Sequence, residues 1–169
     1  MTHIISASPC LGKTTIYQLN KERTFDRDFN ESRSTKGMTP RQKGFFWYAA
    51  SDLINVQADT DVFSYIFVTD ELELLEWLKR PNLYTKAHDL TVILPDNSDA
   101  QYMAEYKKRI IERSGIEWFN RVMIPKLEAL DDLMKKFQEK GFDVRLTHSN
   151  QPYIEDVFKF TDDIILPKK

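Results

Sequence analysis

Residues 3–15 read His-Ile-Ile-Ser-Ala-Ser-Pro-Cys-Leu-Gly-Lys-Thr-Thr, and this stretch constrains the chain more than any other. A short apolar run meets a proline and then Gly-Lys-Thr, so it reads as a buried strand, a tight loop and a helix start. The phosphate-binding loop pattern is a small residue, four variable positions and Gly-Lys-Ser/Thr, and here Ala7, Gly12, Lys13 and Thr14 fill those places. Gly12 lets backbone approach a phosphate, Lys13 brings a cation to the outer phosphates, and the Thr14 hydroxyl can ligate Mg²⁺. Ser8, Pro9, Cys10 and Leu11 form the loop between them. Thr14 and Thr15 open the helix, whose unpaired N–H groups favour an anion. Ala7 departs from the commoner glycine, and its methyl group restricts the backbone there.

A chain of 169 residues suits a single domain over 1–169 that buries a real core. With 24 basic and 26 acidic residues, the net charge of -2 exerts no overall pull towards nucleic acid or an anionic membrane. Neither a stable nucleic-acid partner nor a membrane is expected. One cysteine, Cys10, leaves no internal disulfide and fits a reducing compartment. His3, His88 and His148 lack the spacing of a zinc site. No basic leader with an apolar core and no run of about 18 apolar residues occurs, so a soluble, cytoplasmic protein is expected.

Short strands alternate with helices, which argues for an α/β fold with a parallel sheet covered on both faces. After a first helix from Thr14 to about Lys21, residues 24–29 read as a second strand ending in acids. Residues 30–38 form a polar loop, and Thr39-Pro40 supply a cap and first position for a helix to about Val56. Phe45, Ala49, Leu53 and Val56 are its expected buried stripe. A third strand runs from Val62 to Val68 and ends at Thr69-Asp70. A short helix over Leu72, Leu75, Trp77 and Leu78 stops at Pro81. The fourth strand, 90–94, is closed by Pro95, and residues 96–99 cap the charged helix that follows. Residues 116–140 have a helical pattern that Pro125 bends or divides and Gly141 ends. Phe142, Val144 and Leu146 alternate with polar residues as a last strand, before a small helix over about 152–160. The tryptophans and Tyr48 sit on helical stripes and read as packing groups.

In parallel sheets of this kind, ligands sit at the carboxyl ends of the strands. Asp26 and Asp28, two apart on a strand, point the same way. One could hold an acceptor hydroxyl or a metal-bound water while the other orients it, or both could simply close the strand. Asp70 ends an apolar run, as either a metal-orienting acid or a turn acid. Arg109 and Arg113 are four apart and share a helix face, where they could clamp a transferring phosphoryl group. Glu105 and Glu112 leave an ordinary ion-paired face as the other reading. Cys10 lies near a helix start that can lower a thiol pKa, although a passive loop residue is the simpler account.

The loop on the first strand, Asp26-x-Asp28, Phe67-Val68-Thr69-Asp70 and Glu105-Tyr106-x-x-Arg109-x-x-x-Arg113 together resemble the P-loop kinases of the nucleoside monophosphate kinase group. Small phage-type (deoxy)nucleotide kinases are the nearest likeness, and it runs through nearly the whole chain in order. The resemblance implies a three-layer P-loop NTPase fold with five parallel strands in order 2-3-1-4-5. It also implies ATP and Mg²⁺ as donor, with Thr14 and Asp70 serving the metal, and a short helical lid carrying arginines at about 97–115. Arg33, Lys36, Arg41 and Lys43 fall where such kinases bind the acceptor, with Asp26 and Asp28 beside them; a basic surface loop is the alternative.

Three function classes follow. The first is phosphoryl transfer from ATP to a nucleoside or deoxynucleoside monophosphate, with Lys13, Arg109 and Arg113 stabilising the transferred group. The second is a P-loop kinase with a hydroxyl acceptor, where Asp26 or Asp28 is the base; residues 28–33 loosely resemble polynucleotide 5′-kinases, and shikimate-type kinases also use two acids spaced this way. The third is a non-enzymatic nucleotide-binding module. Base preference, sugar and oligomeric state are not written in these motifs.

Overall fold

The computed structural model describes residues 1–27, 35–80 and 86–168. Five parallel strands, β1 (His3–Ala7), β2 (Thr24–Arg27), β3 (Tyr65–Val68), β4 (Asp89–Pro95) and β5 (Asp143–Thr147), form one sheet in the order β2-β3-β1-β4-β5. The central strands carry the apolar runs: Ile4, Ile5, Ile66, Phe67, Val68, Val92, Ile93 and Leu94 are all essentially sealed from solvent, as a sheet covered on both faces requires. β3 is shorter than its sequence suggests, because Val62 is 61% exposed and the ladder starts only at Tyr65.

The helices are α1 (Lys13–Leu19), α2 (Pro40–Asp59), α3 (Leu72–Lys79), α4 (Ala100–Ser114), α5 (Ile116–Trp118), α6 (Ile124–Glu128), α7 (Leu130–Glu139) and α8 (Ile154–Val157). Thr39 caps α2 as expected: its hydroxyl accepts from Gln42 N–H while the Gln42 side chain takes the Thr39 N–H, and Pro40 is the first helical residue. Asp99 likewise caps α4 through Tyr102 N–H. Between α5 and α6 lies a π turn, Phe119–Met123, two residues before Pro125. Thus the long helical pattern is divided near the proline.

The interior face of α2 is not the expected one. Trp47, Ala50, Ile54 and Ala58 are buried, whereas Phe45, Leu53 and Val56 are 63%, 53% and 58% exposed and Ala49 faces out with them. The helix is apolar on two sides, and the side bearing Trp47 and Ile54 wins the core. Among the described residues, no helix is long and apolar enough to cross a membrane.

Candidate functional site

The carboxyl edge of the sheet brings β1, β2 and β3 to one rim, and most of the residues singled out above gather there. Beyond β1 the backbone turns sharply: Cys10 has φ +59° and Gly12 φ +109°. A side chain at Gly12 would be strained by that φ and would place its Cβ 3.3 Å from Glu155 Oε2. The Leu11 carbonyl accepts from Ile154 N–H at 3.0 Å, fastening the loop to α8.

Lys13 folds back over this loop, and its ammonium donates to the Ala7 carbonyl and, at 3.3 Å, to that of Ser8. The Thr14 hydroxyl donates to Asp26 Oδ2 at 3.0 Å, so the first helical turn is joined to the end of β2. Asp70 is buried at the end of β3, where Oδ2 accepts from the Ser8 hydroxyl at 2.7 Å and Oδ1 lies 3.3 Å from Lys126 Nζ. Burial pushes the Asp70 carboxyl up, but Lys126, the Ser8 hydroxyl and Lys13 outweigh it and hold the group below its ordinary value. It is therefore a carboxylate at neutral pH.

From α4, three side chains reach the other side of the loop. Tyr106 is sealed and donates to the Pro9 carbonyl at 2.8 Å; its hydroxyl is pushed well above the usual range by burial, and further by Asp70 and Cys10. Arg109 points its guanidinium to the Cys10 carbonyl at 3.5 Å and stacks over Tyr153 at 4.6 Å. Arg113 lies 3.7 Å from Cys10 Sγ. The neighbouring acids are otherwise engaged, since Glu105 accepts from Gln101 and Glu112 pairs with Lys108. The Arg109–Arg113 face is thus directed at the loop.

Two spaces beside this loop are lined by described residues. A cleft of about 540 Å³ is lined by Gly12, Thr15, Asn150, Pro152, Tyr153 and Glu155 among others. A smaller cavity of about 320 Å³ is lined by Ser8, Asp70, Tyr106 and Lys126 together with Leu72, Met123, Leu127 and Leu130, among others.

Of the residues expected at the site, Lys13, Thr14, Asp26, Asp70, Arg109 and Arg113 are brought together with the loop Ala7–Thr15. Asp28 and Arg33 lie outside the described residues. Arg41 stands apart, over the Phe45 ring on the outer side of α2. Sequence reasoning missed Lys126 and Tyr153. Lys126 directly follows Pro125 with no recognisable motif, and Tyr153 is reached only through the strand-to-helix connection after β5. Among the described residues there is no cluster of three or more His, Cys, Asp or Glu suited to a metal ion. Compared with known protein families, curated proteins and solved structures, the chain matches none.

Proposed function

We propose that the protein is an ATP-dependent phosphotransferase acting on a nucleoside or deoxynucleoside monophosphate. The observation that carries this reading is the convergence of Lys13, Arg109 and Arg113 on one glycine-bearing loop at the carboxyl edge of a parallel sheet. Phosphoryl transfer asks a protein mainly for position and positive charge. The acceptor's phosphate oxygen forms a bond to the γ-phosphorus as the bond from that phosphorus to the bridging oxygen breaks, and ADP leaves. Lys13 exchanges its two carbonyl partners for phosphate oxygens. Arg109 and Arg113 neutralise charge on the same oxygens from α4, and the cleft beside Gly12 and Tyr153 takes the base of the donor.

The residues present fit Mg²⁺ of the kind that is shared with phosphates. The Thr14 hydroxyl and the Asp26 and Asp70 carboxylates are hard oxygen donors, too few for a closed cage but suited to an ion that keeps water and phosphate ligands. Bound there, it would screen charge between the β- and γ-phosphates.

A hydroxyl acceptor is the second reading, and one contact favours it: Asp26 sits 3.0 Å from Thr14, beside the donor site, where a general base would belong. ATP consumption against nucleoside monophosphates, nucleosides and 5′-hydroxyl oligonucleotides separates the two. Conversion of a monophosphate to a diphosphate, with the matching nucleoside inert, is expected; preferential turnover of nucleosides or 5′-hydroxyl ends would move the assignment to the second reading.

The loop also offers a chemical probe. Cys10 is buried, and its thiol should react slowly with a maleimide in the free protein and more slowly still with ATP and Mg²⁺ present. Protection should vanish in Lys13→Ala. Equal labelling rates with and without nucleotide would mean that the loop does not close over phosphate.

A further inference from the structure

The donor's placement gives no task to the cavity of about 320 Å³ beside Ser8. Protein interiors seldom leave voids larger than a water molecule, whose share of the liquid is about 30 Å³. A space of this size, apolar in most of its lining with a few converging polar groups, has the make-up of a ligand site. It shares no lining residue with the cleft that takes the donor's base, yet it reaches the same loop, because Ser8 lines it. At its charged end Asp70 is buried and fixed by the Ser8 hydroxyl at 2.7 Å, and Lys126 Nζ lies 3.3 Å from the other carboxylate oxygen. Lys126 keeps 31% of its side chain accessible, against 6% for Asp70. Direct contacts thus run from Lys13 through Ser8 and Asp70 to Lys126, a second cation that lines the cavity.

We propose that this cavity is the acceptor site, where Lys126 takes the phosphate of a nucleoside monophosphate and Leu72, Met123 and Leu127 hold its base. The assignment rests on the phosphotransferase reading above. Transfer requires the acceptor oxygen within about 3–3.5 Å of the γ-phosphorus, so the acceptor has to bind against the loop that Lys13 covers. Its phosphate carries about -1.5 to -2 charges near neutral pH, and the Asp70 carboxylate would repel it unless a cation stood beside both. Lys126 is that cation, and an ammonium with its N–H donors can hold a carboxylate and a phosphate oxygen together. Arg41, expected to meet the acceptor, stacks over Phe45 on the outer side of α2 instead. The leucines and the adaptable Met123 side chain offer a flat base the apolar contact it needs.

Magnetic resonance on the full chain, isotope-labelled at its methionine methyl groups, tests this through Met123, with its signal assigned from Met123→Leu. The common ribo- and deoxyribonucleoside 5′-monophosphates are added singly to about 5 mM, above the usual KM range. At least one should shift the Met123 signal while leaving Met1, exposed and paired with Asp61, unmoved. The same nucleotide should be the one that is phosphorylated. Lys126→Met should raise its KM about 10- to 100-fold, the factor a charge-assisted hydrogen bond is worth, with KM for ATP changed less than about twofold. Lys126→Arg should recover most of that loss. Leu127→Trp, at a half-buried wall position, should raise the same KM with the Asp70 pair intact, and together with the Met123 signal it decides the matter if Lys126→Met does not fold. Suppose ATP stabilises the protein and a monophosphate is converted. A Met123 signal unmoved by that monophosphate, or variants that raise KM for ATP as much as for the acceptor, would then overturn the cavity assignment and leave the phosphotransferase reading standing. A Met123 shift without ATP consumption would keep the cavity as a monophosphate site and remove the phosphotransferase reading. Neither turnover nor a shift would overturn both.

Discussion

Lys13→Ala is expected to lower turnover by about 10²–10³, the loss typical of removing one preorganised charge from a transition state. It should also erase most of the stabilisation by nucleotide. Ligand bound only to the native state adds RT ln(1 + [L]/Kd), so ATP-Mg²⁺ at about 100 times Kd contributes roughly 2.7 kcal/mol to the wild type. For a chain of this size that corresponds to about 5–10 °C in melting temperature. The free variant should melt close to the wild type, because the ammonium's contacts with Ala7 and Ser8 carbonyls are replaceable by water at a half-exposed position. A calorimetric scan with and without nucleotide reads both quantities. An unchanged melting temperature in wild type and variant alike at millimolar ATP-Mg²⁺ would falsify the loop assignment.

The second large effect separates the two acceptor chemistries. A monophosphate brings a nucleophilic oxygen already ionised near neutral pH, so no base is needed and positive charge dominates. Arg109→Ala or Arg113→Ala should then reduce kcat by about 10²-fold or more, while Asp26→Asn and Asp28→Asn act more on binding and metal placement. A hydroxyl acceptor reverses the order, since removal of a general base costs about 10² to 10⁴ in rate. Asp26 is held by Thr14, so Asp26→Asn keeps a hydrogen-bond acceptor for that hydroxyl and tests basicity more than geometry. Arginine variants that turn over normally beside an inactive Asp26→Asn would favour the hydroxyl reading.

Much of the candidate site can be read from the sequence because its parts are local. The strand, loop and Gly-Lys-Thr lie within thirteen residues, and local backbone rules are enough to place them. The five parallel strands in order β2-β3-β1-β4-β5 agree with the resemblance-based expectation. Neither propensity nor periodicity alone could have ordered them. The buried face of α2 was misread for a definite reason: Phe45, Ala49, Leu53 and Val56 repeat as well as Trp47, Ala50, Ile54 and Ala58 do. Periodicity finds apolar stripes but does not say which one meets the sheet. Lys126 and Tyr153 were invisible for another reason. Each enters the site through a tertiary contact, with Asp70 and Arg109 respectively, more than forty positions away in the chain, and a lone lysine or tyrosine carries no signal at that range.

Lys126 owes its place to a phase shift in the helix before it. Between Phe119 and Met123 the backbone is wound one residue wider than an α-helix, so that Ile124 N–H reaches back to Phe119 O. Pro125, which has no N–H to give, follows at once. Winding these same residues as uninterrupted α-helix would rotate everything beyond the turn by roughly 100° against everything before it. No apolar residue need be lost from the sequence, yet Lys126 would swing off Asp70 and the leucines behind it would leave the wall of the small cavity. The wide turn therefore sets the angular alignment between α4, which touches the loop from one side, and α6, which touches Asp70 from the other. The wide winding, and not the residue count, holds this angle, since a chain one residue shorter here and wound as ordinary α-helix would keep Lys126 facing Asp70.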